Sequence, residues 1–203
     1  MHILYQDRDL AICIKPVGLD SESQLPSALS EKLGGDIFTV HRLDQNVGGV
    51  MVYARTKSAA AALSRAIQEG SMAKEYVALV HGVPPESGDW EDLLWKDSQK
   101  NKVFVVKRMR GGVKKARLEY RLLHPGEPSL VRIRLHTGRS HQIRVQFASR
   151  KFPLAGDRKY GARDDGFSAP MLFSCCLSFP WKGKMLRFEH LPDWAEENNH
   201  DPT

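Results

Sequence analysis

The residues from His41 to Gly49 place an acid beside two basic side chains, just before a pair of glycines. The segment reads HRLDQNVGG. A carboxylate in such a loop can act as a nucleophile or as a general base, and glycines allow another backbone or a ligand to approach closely. Asp44 is therefore a candidate catalytic residue. An isolated loop aspartate more often caps a turn, however, and Arg42 can equally be a solvated surface charge.

A second candidate segment, TGRSHQIR over residues 137–144, concentrates two arginines, a histidine and a glutamine at the start of a predicted helix. Positive charge and unpaired backbone N–H groups at a helix start can hold a phosphate or pair with a buried carboxylate. Arg139, His141 and Arg144 are the candidate binding residues. A plain basic surface patch explains this segment equally well.

An aromatic residue and a basic segment add features typical of nucleic-acid binding. Tyr76, in the strand-like KEYVALV of residues 74–80, could present its ring to a nucleobase, although a tyrosine in a strand usually belongs to the core. Residues 100–118 contain eight basic side chains and no acidic one, around a Gly-Gly pair: Lys100, Lys102, Lys107, Arg108, Arg110, Lys114, Lys115 and Arg117. We expect a flexible basic hairpin that follows a phosphate backbone, the alternative being a solvated loop.

The composition limits the class of protein. The 203 residues include 30 basic and 24 acidic ones, so that the formal net charge is +6, and 41% of them are hydrophobic. This balance argues against a disordered or fibrous chain, and no apolar run approaches the roughly 20 residues that span a bilayer. The N-terminus lacks a secretory pattern, and three cysteines, two of them adjacent, suit neither a disulfide framework nor a zinc site. We therefore expect a cytoplasmic protein without a structural metal.

The elements that would position these segments are mostly strands. Short apolar and β-branched runs predict strands, and the alanine-rich stretch between Thr56 and Gly70 predicts a helix that the threonine caps. Residues 84–99 are interpreted as a polar excursion, and the acidic tail after Pro192 as frayed. The predicted strands are 10–14, 50–54, 74–80, 102–108, 116–123, 130–136, 171–179 and 184–190, and the predicted helices are 28–33, 57–69 and 140–150. This mixture indicates an α+β fold.

Taken in order, these segments resemble the RluA-type family of RNA pseudouridine synthases. The similarity extends over residues 2–190, and HRLD and TGRSHQIR are its most specific parts. The matching segments are KPVG at 15–18, HRLD at 41–44, KEYVALV at 74–80, TGRSHQIR at 137–144, GDRKYG at 156–161 and LSFP at 177–180. The resemblance implies a catalytic α+β fold with a mixed, largely antiparallel sheet, flanking helices and a central RNA-binding cleft.

The resemblance also implies roles for individual residues. Asp44 matches the family's essential aspartate, and Arg42 matches an arginine that helps to hold the RNA and the flipped-out nucleotide. Tyr76 matches the aromatic residue that stacks on the target base, and Arg144 the arginine that forms a salt bridge with the aspartate. The remaining assignments are Ile143 and Leu177 in the apolar wall of the uracil pocket and, as RNA contacts, Lys107, Arg108, Arg110, Lys114, Lys115, Arg139 and His141.

Two departures from the family pattern are visible. Relatives usually carry Thr-Ser-Gly three residues after the aspartate, where this chain has Val47-Gly48-Gly49, so that the loop is expected to be more mobile or to receive its RNA differently. Many relatives also begin with a small RNA-binding domain, for which Asp44 lies too near the N-terminus. We therefore expect one catalytic domain over residues 1–192, followed by an acidic tail over 193–203.

The expected reaction is isomerisation of a uridine to pseudouridine in structured RNA, ribosomal or transfer, without a cofactor or a metal. The uridine is flipped out of its helix, and Asp44, acting as nucleophile or as general base, must stay ionised in a desolvated cleft. The guanidinium of Arg144 would favour the ionised form. We expect RNA as the partner, no DNA or membrane, and a monomer.

Three alternatives stay open at this point. The chain could be an RNA-binding module that kept the fold and lost the chemistry, and a tritium-release assay would decide between the two. It could be a glycosidase that releases free uracil. It could also be a purely structural basic domain, which would leave the order and spacing of the two Arg/His-rich segments unexplained.

Overall fold

The structure is a computed structural model that describes residues 1–162 and 164–197. The strands are β1 (His2–Gln6), β2 (Leu10–Lys15), β3 (Phe38–Thr39), β4 (Gly48–Ala54), β5 (Ala73–Val80), β6 (Ser87–Asp97), β7 (Lys102–Val106), β8 (Val113–His124), β9 (Ser129–Leu135), β10 (Leu172–Trp181) and β11 (Lys184–Glu189). The helices are α1 (Gln24–Leu33), α2 (Lys57–Gln68), α3 (Gln142–Ser149) and α4 (Asp193–Glu197), with a 3-10 helix at Arg158–Tyr160.

These elements form two compact units. Within the described residues, the first unit comprises Met1–Lys74 and Phe173–Pro192, and the second comprises Glu75–Leu172 together with residues 193–197. In the first unit the strand order is β1-β2-β4-β10, with β3 paired to β4 and β11 paired to β10; in the second it is β5-β9-β8-β6-β7. β4 and β10 run parallel, whereas the neighbours β1–β2, β2–β4, β6–β7, β6–β8 and β8–β9 are antiparallel.

The first unit is built on two strands whose apolar runs are buried. β2 pairs with β4 along its whole length, and every residue of β4 is buried. α2 packs against β4 and contributes Leu63, which is wholly buried, to the core. The helix begins where the sequence predicts, since Thr56 Oγ1 accepts a hydrogen bond from Ala59 N at 3.2 Å. The predicted apolar strands and the capped helix of this unit are therefore confirmed.

A glycine pair allows β10 to run beside the start of β4. Phe173 pairs with Gly48, and Ser174 pairs with Gly49. Gly49 has a φ of +133°, and a Cβ atom on it would collide with the backbone N and O atoms of Ser174. The expectation that these glycines admit a second backbone is therefore confirmed. The close pairing fixes the strand that directly follows the Asp44 loop.

The second unit places α3 against one face of its sheet, next to β6 and β7. The side chains between the helix and these strands form an apolar cluster and an aromatic cluster, with ring centroids 4.5 to 5.2 Å apart in the latter. The apolar cluster consists of Leu94, Val103, Ala116 and Val145, and the aromatic cluster of Trp90, Tyr120 and Phe147. These two clusters therefore anchor α3 on the sheet.

The interpretation of residues 84–99 as a polar excursion is wrong, because most of them form β6. More and less exposed positions alternate along much of this strand. Some of its charges are balanced by β8, since Arg117 Nη2 lies 2.8 Å from Asp89 Oδ2. Trp90, whose side chain lies on the opposite face of the strand from that of Asp89, packs against the aromatic rings of the core. The high polarity of the segment concealed the period of two that identifies a strand.

Two smaller differences concern helix bounds. α1 begins at Gln24 rather than at the predicted position 28, and Asp193–Glu197, within the tail predicted to fray, form α4 with Ala195 buried. The rest of the tail, 198–203, lies outside the described residues. The other predicted elements are present with shifted bounds, and the α+β class with a mixed, largely antiparallel sheet is confirmed. All three cysteines are buried. No helix within the described ranges is long and apolar enough to traverse a bilayer.

Candidate active site

Asp44 lies half-buried in the loop before β4, and the backbone on both sides of it is held by hydrogen bonds. Ser21 Oγ donates to Leu43 O at 2.9 Å, and Leu43 N donates to Ser21 Oγ at 3.2 Å. On the other side, Gly18 N donates to Gln45 O at 2.9 Å. The loop is thus tied to the turn after β2 and to the start of α1. A fixed backbone is what a reacting carboxylate needs if it is to meet its substrate in one orientation.

A buried lysine lies beside this loop. Lys15, at the end of β2, is wholly buried, and its Nζ donates to Gln45 O at 3.0 Å and to Pro16 O at 2.9 Å. Burial lowers the pKa of Lys15 to about 8, and the carboxylates of Asp20 and Asp44 partly oppose that shift. The ammonium group is therefore an electrostatic neighbour of Asp44. The sequence analysis placed Lys15 in the KPVG segment without giving it a role.

The two basic residues that precede Asp44 point to different environments. His41 is buried, and its Nε2 accepts a hydrogen bond from Val52 N at 3.1 Å. Burial, together with the nearby Lys74 charge, holds the pKa of His41 well below its usual value. His41 is therefore neutral at pH 7 and supports β4. Arg42 is exposed instead, and its Nη1 lies 3.0 Å from Glu22 Oε2.

Arg144, on α3 of the second unit, is held by a buried carboxylate. Its Nε donates to Asp157 Oδ2 at 2.6 Å and its Nη2 donates to Asp157 Oδ1 at 2.8 Å. The two side chains are 9% and 1% exposed. A bidentate pair of this kind fixes the plane of the guanidinium. Asp157 thus engages both Nε and Nη2 of the guanidinium.

Tyr160 links this ion pair to β7. The guanidinium carbon of Arg144 lies 5.2 Å from the centroid of the Tyr160 ring, and His141 Nδ1 lies 2.8 Å from the Tyr160 hydroxyl. Val103 N donates to the same hydroxyl at 2.8 Å. Asp157 and Tyr160 both belong to the GDRKYG segment, which the resemblance included without a role for either residue. That segment was the signal that could have identified them.

Other polar residues of TGRSHQIR brace the chain where it enters α3. Gln142 Oε1 accepts hydrogen bonds from Thr137 Oγ1 at 2.8 Å and from Arg139 N at 3.0 Å. Gln142 Nε2 donates to Arg117 O at 3.0 Å, and Arg139 Nε donates to Lys115 O at 2.9 Å. The helix begins at Gln142 rather than at the predicted position 140, and the residues before it tie the start of the helix to β8.

Three residues assigned to the substrate pocket by the resemblance are almost entirely covered. Tyr76, on β5, is 6% exposed and Ile143 is 3% exposed. Leu177 is wholly buried in the core of the first unit. Asp44 belongs to the first unit, whereas Tyr76 and Arg144 belong to the second. The ion pair between Asp44 and Arg144 and the stacking role of Tyr76 stay predictions.

The predicted basic hairpin is not formed, because β6 lies between β7 and β8 and pairs with both strands. Its basic residues lie instead on these two strands and on the turn 107–112 that connects them. Lys115 and Arg117, which follow the turn on β8, pair with Glu91 and Asp89 on β6. At and directly after the turn, the exposed side chains of Lys107, Arg108, Arg110 and Lys114 have no acidic partner within salt-bridge distance among residues 1–162 and 164–197. The turn therefore carries positive charge that no described side chain neutralises.

Comparison with known proteins assigns this arrangement to a family. Residues 9–149, which include the Asp44 loop, Tyr76 and Arg144, match the family model described as RNA pseudouridylate synthase. The chain belongs to this family. As a pseudouridine synthase it is an isomerase that acts on RNA, and the recognition made from HRLD and TGRSHQIR is confirmed.

Relatives at about one-third identity extend the match beyond that segment. The synthase is 33% identical to an uncharacterized RNA pseudouridine synthase of Aquifex aeolicus, over 98% of this chain and 74% of that protein. It is 34% identical to the ribosomal large subunit pseudouridine synthase D of Vibrio cholerae, over 100% of this chain and 67% of that protein. It covers 51% of the protein of that name from Vibrio parahaemolyticus.

Solved structures share the fold. The synthase superposes on human RNA pseudouridylate synthase domain containing 1 with a TM-score of 0.84 and 24% identity, over 94% of this chain and 83% of that one. Superposition on human RNA pseudouridylate synthase domain containing 4 gives a TM-score of 0.80 at 24% identity, over 97% of this chain and 91% of that one. At this level of identity the two structures establish the architecture.

Proposed function

We propose that this synthase isomerises a uridine of large-subunit ribosomal RNA and that Asp44 is its reacting carboxylate. The observation that carries the proposal is the Asp44 loop, which lies within the segment matching the family and has a backbone tied on both sides. The choice of RNA is supported by the relatives named as ribosomal large subunit synthases. Because ribosomal RNA is made and modified inside the cell, we place the enzyme in the cytoplasm, acting as a monomer.

The chemistry requires one bond to be exchanged for another. The bond between the ribose C1′ and the uracil N1 breaks, the base rotates, and C1′ is joined to C5. The hydrogen on C5 leaves as a proton, and N1 gains a proton. A carboxylate can trap the ribose as a nucleophile or remove a proton as a general base, and Asp44 is assigned to one of these two roles.

Either role requires Asp44 to be ionised in a site that excludes water. Burial alone would favour the neutral acid, and nearby cations oppose that effect. Lys15 is one such cation, as its electrostatic coupling to Asp44 indicates. We propose Arg144 as the second, because Asp157 fixes the plane of its guanidinium. An arginine suits this position because it keeps its charge when buried.

The rest of the proposed site holds the RNA. Flipping the uridine out of its helix costs a few kcal/mol, and stacking on Tyr76, worth about 1–3 kcal/mol, would offset much of that cost. We assign Arg42 to the RNA and the flipped nucleotide. The apolar wall of the pocket is assigned to Ile143 and Leu177, and the flanking RNA to Arg139, His141, Lys107, Arg108, Arg110, Lys114 and Lys115.

Release of tritium from RNA labelled at uracil C5 tests the proposal directly. We expect Asp44→Asn to abolish release while the variant still binds the RNA. Asp36→Asn is the matched control, since Asp36 is an exposed aspartate of the same unit. Substantial turnover by Asp44→Asn would refute the catalytic role.

The same assay separates the competing functions. A wild-type protein that binds RNA but releases no tritium would be a non-catalytic module, and the appearance of free uracil would identify a glycosidase. Mapping pseudouridine in total RNA from cells with and without the gene tests the choice of RNA. A missing pseudouridine in transfer RNA, with ribosomal RNA unchanged, would overturn the proposed substrate.

A further inference from the structure

Two aromatic rings lie side by side on a face of β6 and β7 that the proposed mechanism does not use. Trp95 and Phe104 are directly paired across the two strands, and their ring centroids are 6.2 Å apart at an interplanar angle of 31°. Their chain neighbours Leu94 and Val103 belong to the apolar core. Because successive side chains of a strand point to opposite faces, Trp95 and Phe104 lie on the side away from that core.

These two rings are more exposed to solvent than is usual for aromatic side chains. Phe104 is 36% exposed and Trp95 is half-buried. β7 is the last strand of the sheet in its unit, so that Phe104 stands at an edge. Large aromatic side chains normally gain their stability by burial, and packing within the unit accounts for only part of the surface of these two.

Each ring is accompanied by a cation. The guanidinium carbon of Arg110, in the turn 107–112, lies 5.2 Å from the Trp95 ring centroid. Lys102 Nζ lies 5.8 Å from the Phe104 ring centroid. Neither cation has an acidic partner within salt-bridge distance in the part of the chain that the structure describes. Asp97, at the end of β6, is engaged by the backbone N–H groups of residues 99 and 100.

We propose that Trp95 and Phe104, with Arg110 and Lys102 beside them, form a stacking subsite for an unpaired RNA nucleotide other than the target uridine. The proposal rests on the proposed function only in taking RNA as the ligand. Every base has a flat face that can stack on an aromatic ring, and an exposed cation–π contact is weaker than such a stack. A base can therefore displace Arg110 or Lys102 from the rings, and the displaced cation can then reach a flanking phosphate.

The charge of the surrounding surface favours this occupant. The adjoining turn carries basic side chains and no acid, which suits a polyanion. Paired bases are already stacked within a helix and offer a protein only their edges, so that a flat aromatic pair selects an unpaired nucleotide. The subsite therefore fits a loop, a bulge or a single-stranded flank of the RNA.

The test compares rings with side chains of similar volume that cannot stack. We expect Phe104→Leu and Trp95→Leu each to weaken binding of a short oligouridylate by roughly 5- to 100-fold, the range that corresponds to losing one base stack. Phe104→Tyr should bind oligouridylate as the wild type does, because the aromatic ring is kept. Binding of an RNA duplex of equal length should not change. Tyr5→Leu is the control, because Tyr5 is an exposed ring on β1.

Salt dependence separates stacking from charge. Phe104→Leu should leave the slope of affinity against salt unchanged, whereas Lys102→Gln should reduce it by about one phosphate contact. Wild-type protein should also form photo-crosslinks between 5-iodouridine RNA and Trp95 or Phe104, a result that needs no variant to fold. Unchanged oligouridylate binding in the leucine variants, equal losses for duplex and single strand, or crosslinks confined to other residues would each overturn the subsite.

The outcome is distinguishable from failure of the proposed function. Tritium release by the wild-type enzyme tests the reaction, and oligouridylate binding tests the subsite. An inactive protein whose oligouridylate binding depends on Phe104 would keep the subsite and lose the function. An active enzyme whose leucine variants bind anionic vesicles less well, but bind oligouridylate as the wild type does, would show a lipid-binding surface instead.

Discussion

The buried pair of Arg144 and Asp157 shows how a single residue can depend on a partner that no local pattern reveals. Thirteen positions separate the two residues in the chain. The residues of TGRSHQIR left open whether they hold a phosphate, pair with a buried carboxylate or form a surface patch, and the resemblance named Asp44 as the partner of Arg144. The structure adds Asp157, which determines the orientation of the guanidinium whether or not Asp44 also binds it.

Removal of Asp157 should therefore affect both stability and activity. Asp157→Ala leaves the Arg144 charge buried without this partner, and breaking such a pair costs about 3–5 kcal/mol. We expect a loss of that size in the free energy of unfolding, measured by urea titration, and a large loss of tritium release. Asp164→Ala is the control, because Asp164 pairs with Arg158 at 2.6 Å on the surface and should change stability by less than about 1 kcal/mol. Equal effects of the two variants would contradict this account.

Lys15 gives a prediction with opposite signs for activity and stability. Its pKa is lowered from 10.5 to about 8 by burial, so that it loses its charge in the folded protein as the pH rises through 8. Tritium release should then decline, because the cation beside Asp44 is lost. The folded state binds fewer protons than the unfolded state between these two pKa values, so the contribution of this site to stability rises with pH over that range.

Lys15→Arg provides the control for this pH dependence. An arginine keeps its charge, so a folded Lys15→Arg variant should lose the decline in activity above pH 8. Parallel pH profiles of tritium release and of thermal unfolding would measure both effects. A decline at the same pH in wild type and variant would assign the titration to another group.

At the scale of elements, the meeting of β4 and β10 depends on a position that only glycine fits. An alanine at position 49 would have a φ of +133° and its Cβ against the Ser174 backbone. Backbone strain alone costs about 1–3 kcal/mol, and the collision adds to it. We expect Gly49→Ala to lower the free energy of unfolding by at least that amount, measured by chemical denaturation. Gly35→Ala, which has a φ of +77° but open space around its Cβ, isolates the strain without the collision.

The elements also show how far the sequence determines the fold. The strand at residues 50–54 and the helix after Thr56 were predictable, because an apolar run and a capped, alanine-rich segment are local signals. β6 was not, since its polar residues are compensated by charges on β8, more than twenty residues away. At the candidate site, HRLD and TGRSHQIR pointed to Asp44 and Arg144 as candidate residues. The contributions of Lys15, Asp157 and Tyr160 depend on distances that spacing along the chain does not determine.

At the scale of the whole molecule, the net charge of +6 is unevenly distributed. Besides Arg110, three exposed basic residues at or beside the turn between β7 and β8 have no acidic partner among the described residues: Lys107, Arg108 and Lys114. If they contact phosphates, each adds about 0.7 to 0.9 to the slope of the logarithm of affinity against the logarithm of salt concentration. Changing all three to glutamine should therefore reduce that slope by roughly 2–3 in binding titrations.

A second triple variant with the same change in charge provides the comparison. Lys32, Lys57 and Lys184 are exposed lysines of the first unit, and their replacement by glutamine should leave the slope nearly as it is in the wild type. If both variants lowered the slope equally, the effect would come from total charge rather than from contacts made at the turn between β7 and β8.

Arg42 differs from the basic residues at the turn between β7 and β8, because it already has a neighbour of opposite charge, Glu22, at 3.0 Å. A phosphate that takes the place of Glu22 releases a mobile cation that it had held. The carboxylate of Glu22, which has then lost its partner, attracts a mobile cation from the solvent in turn. Arg42 can therefore help to orient an incoming strand while adding little to the sensitivity of binding to ionic strength, and the exchange of one anion for another disfavours ligands too weak to displace Glu22.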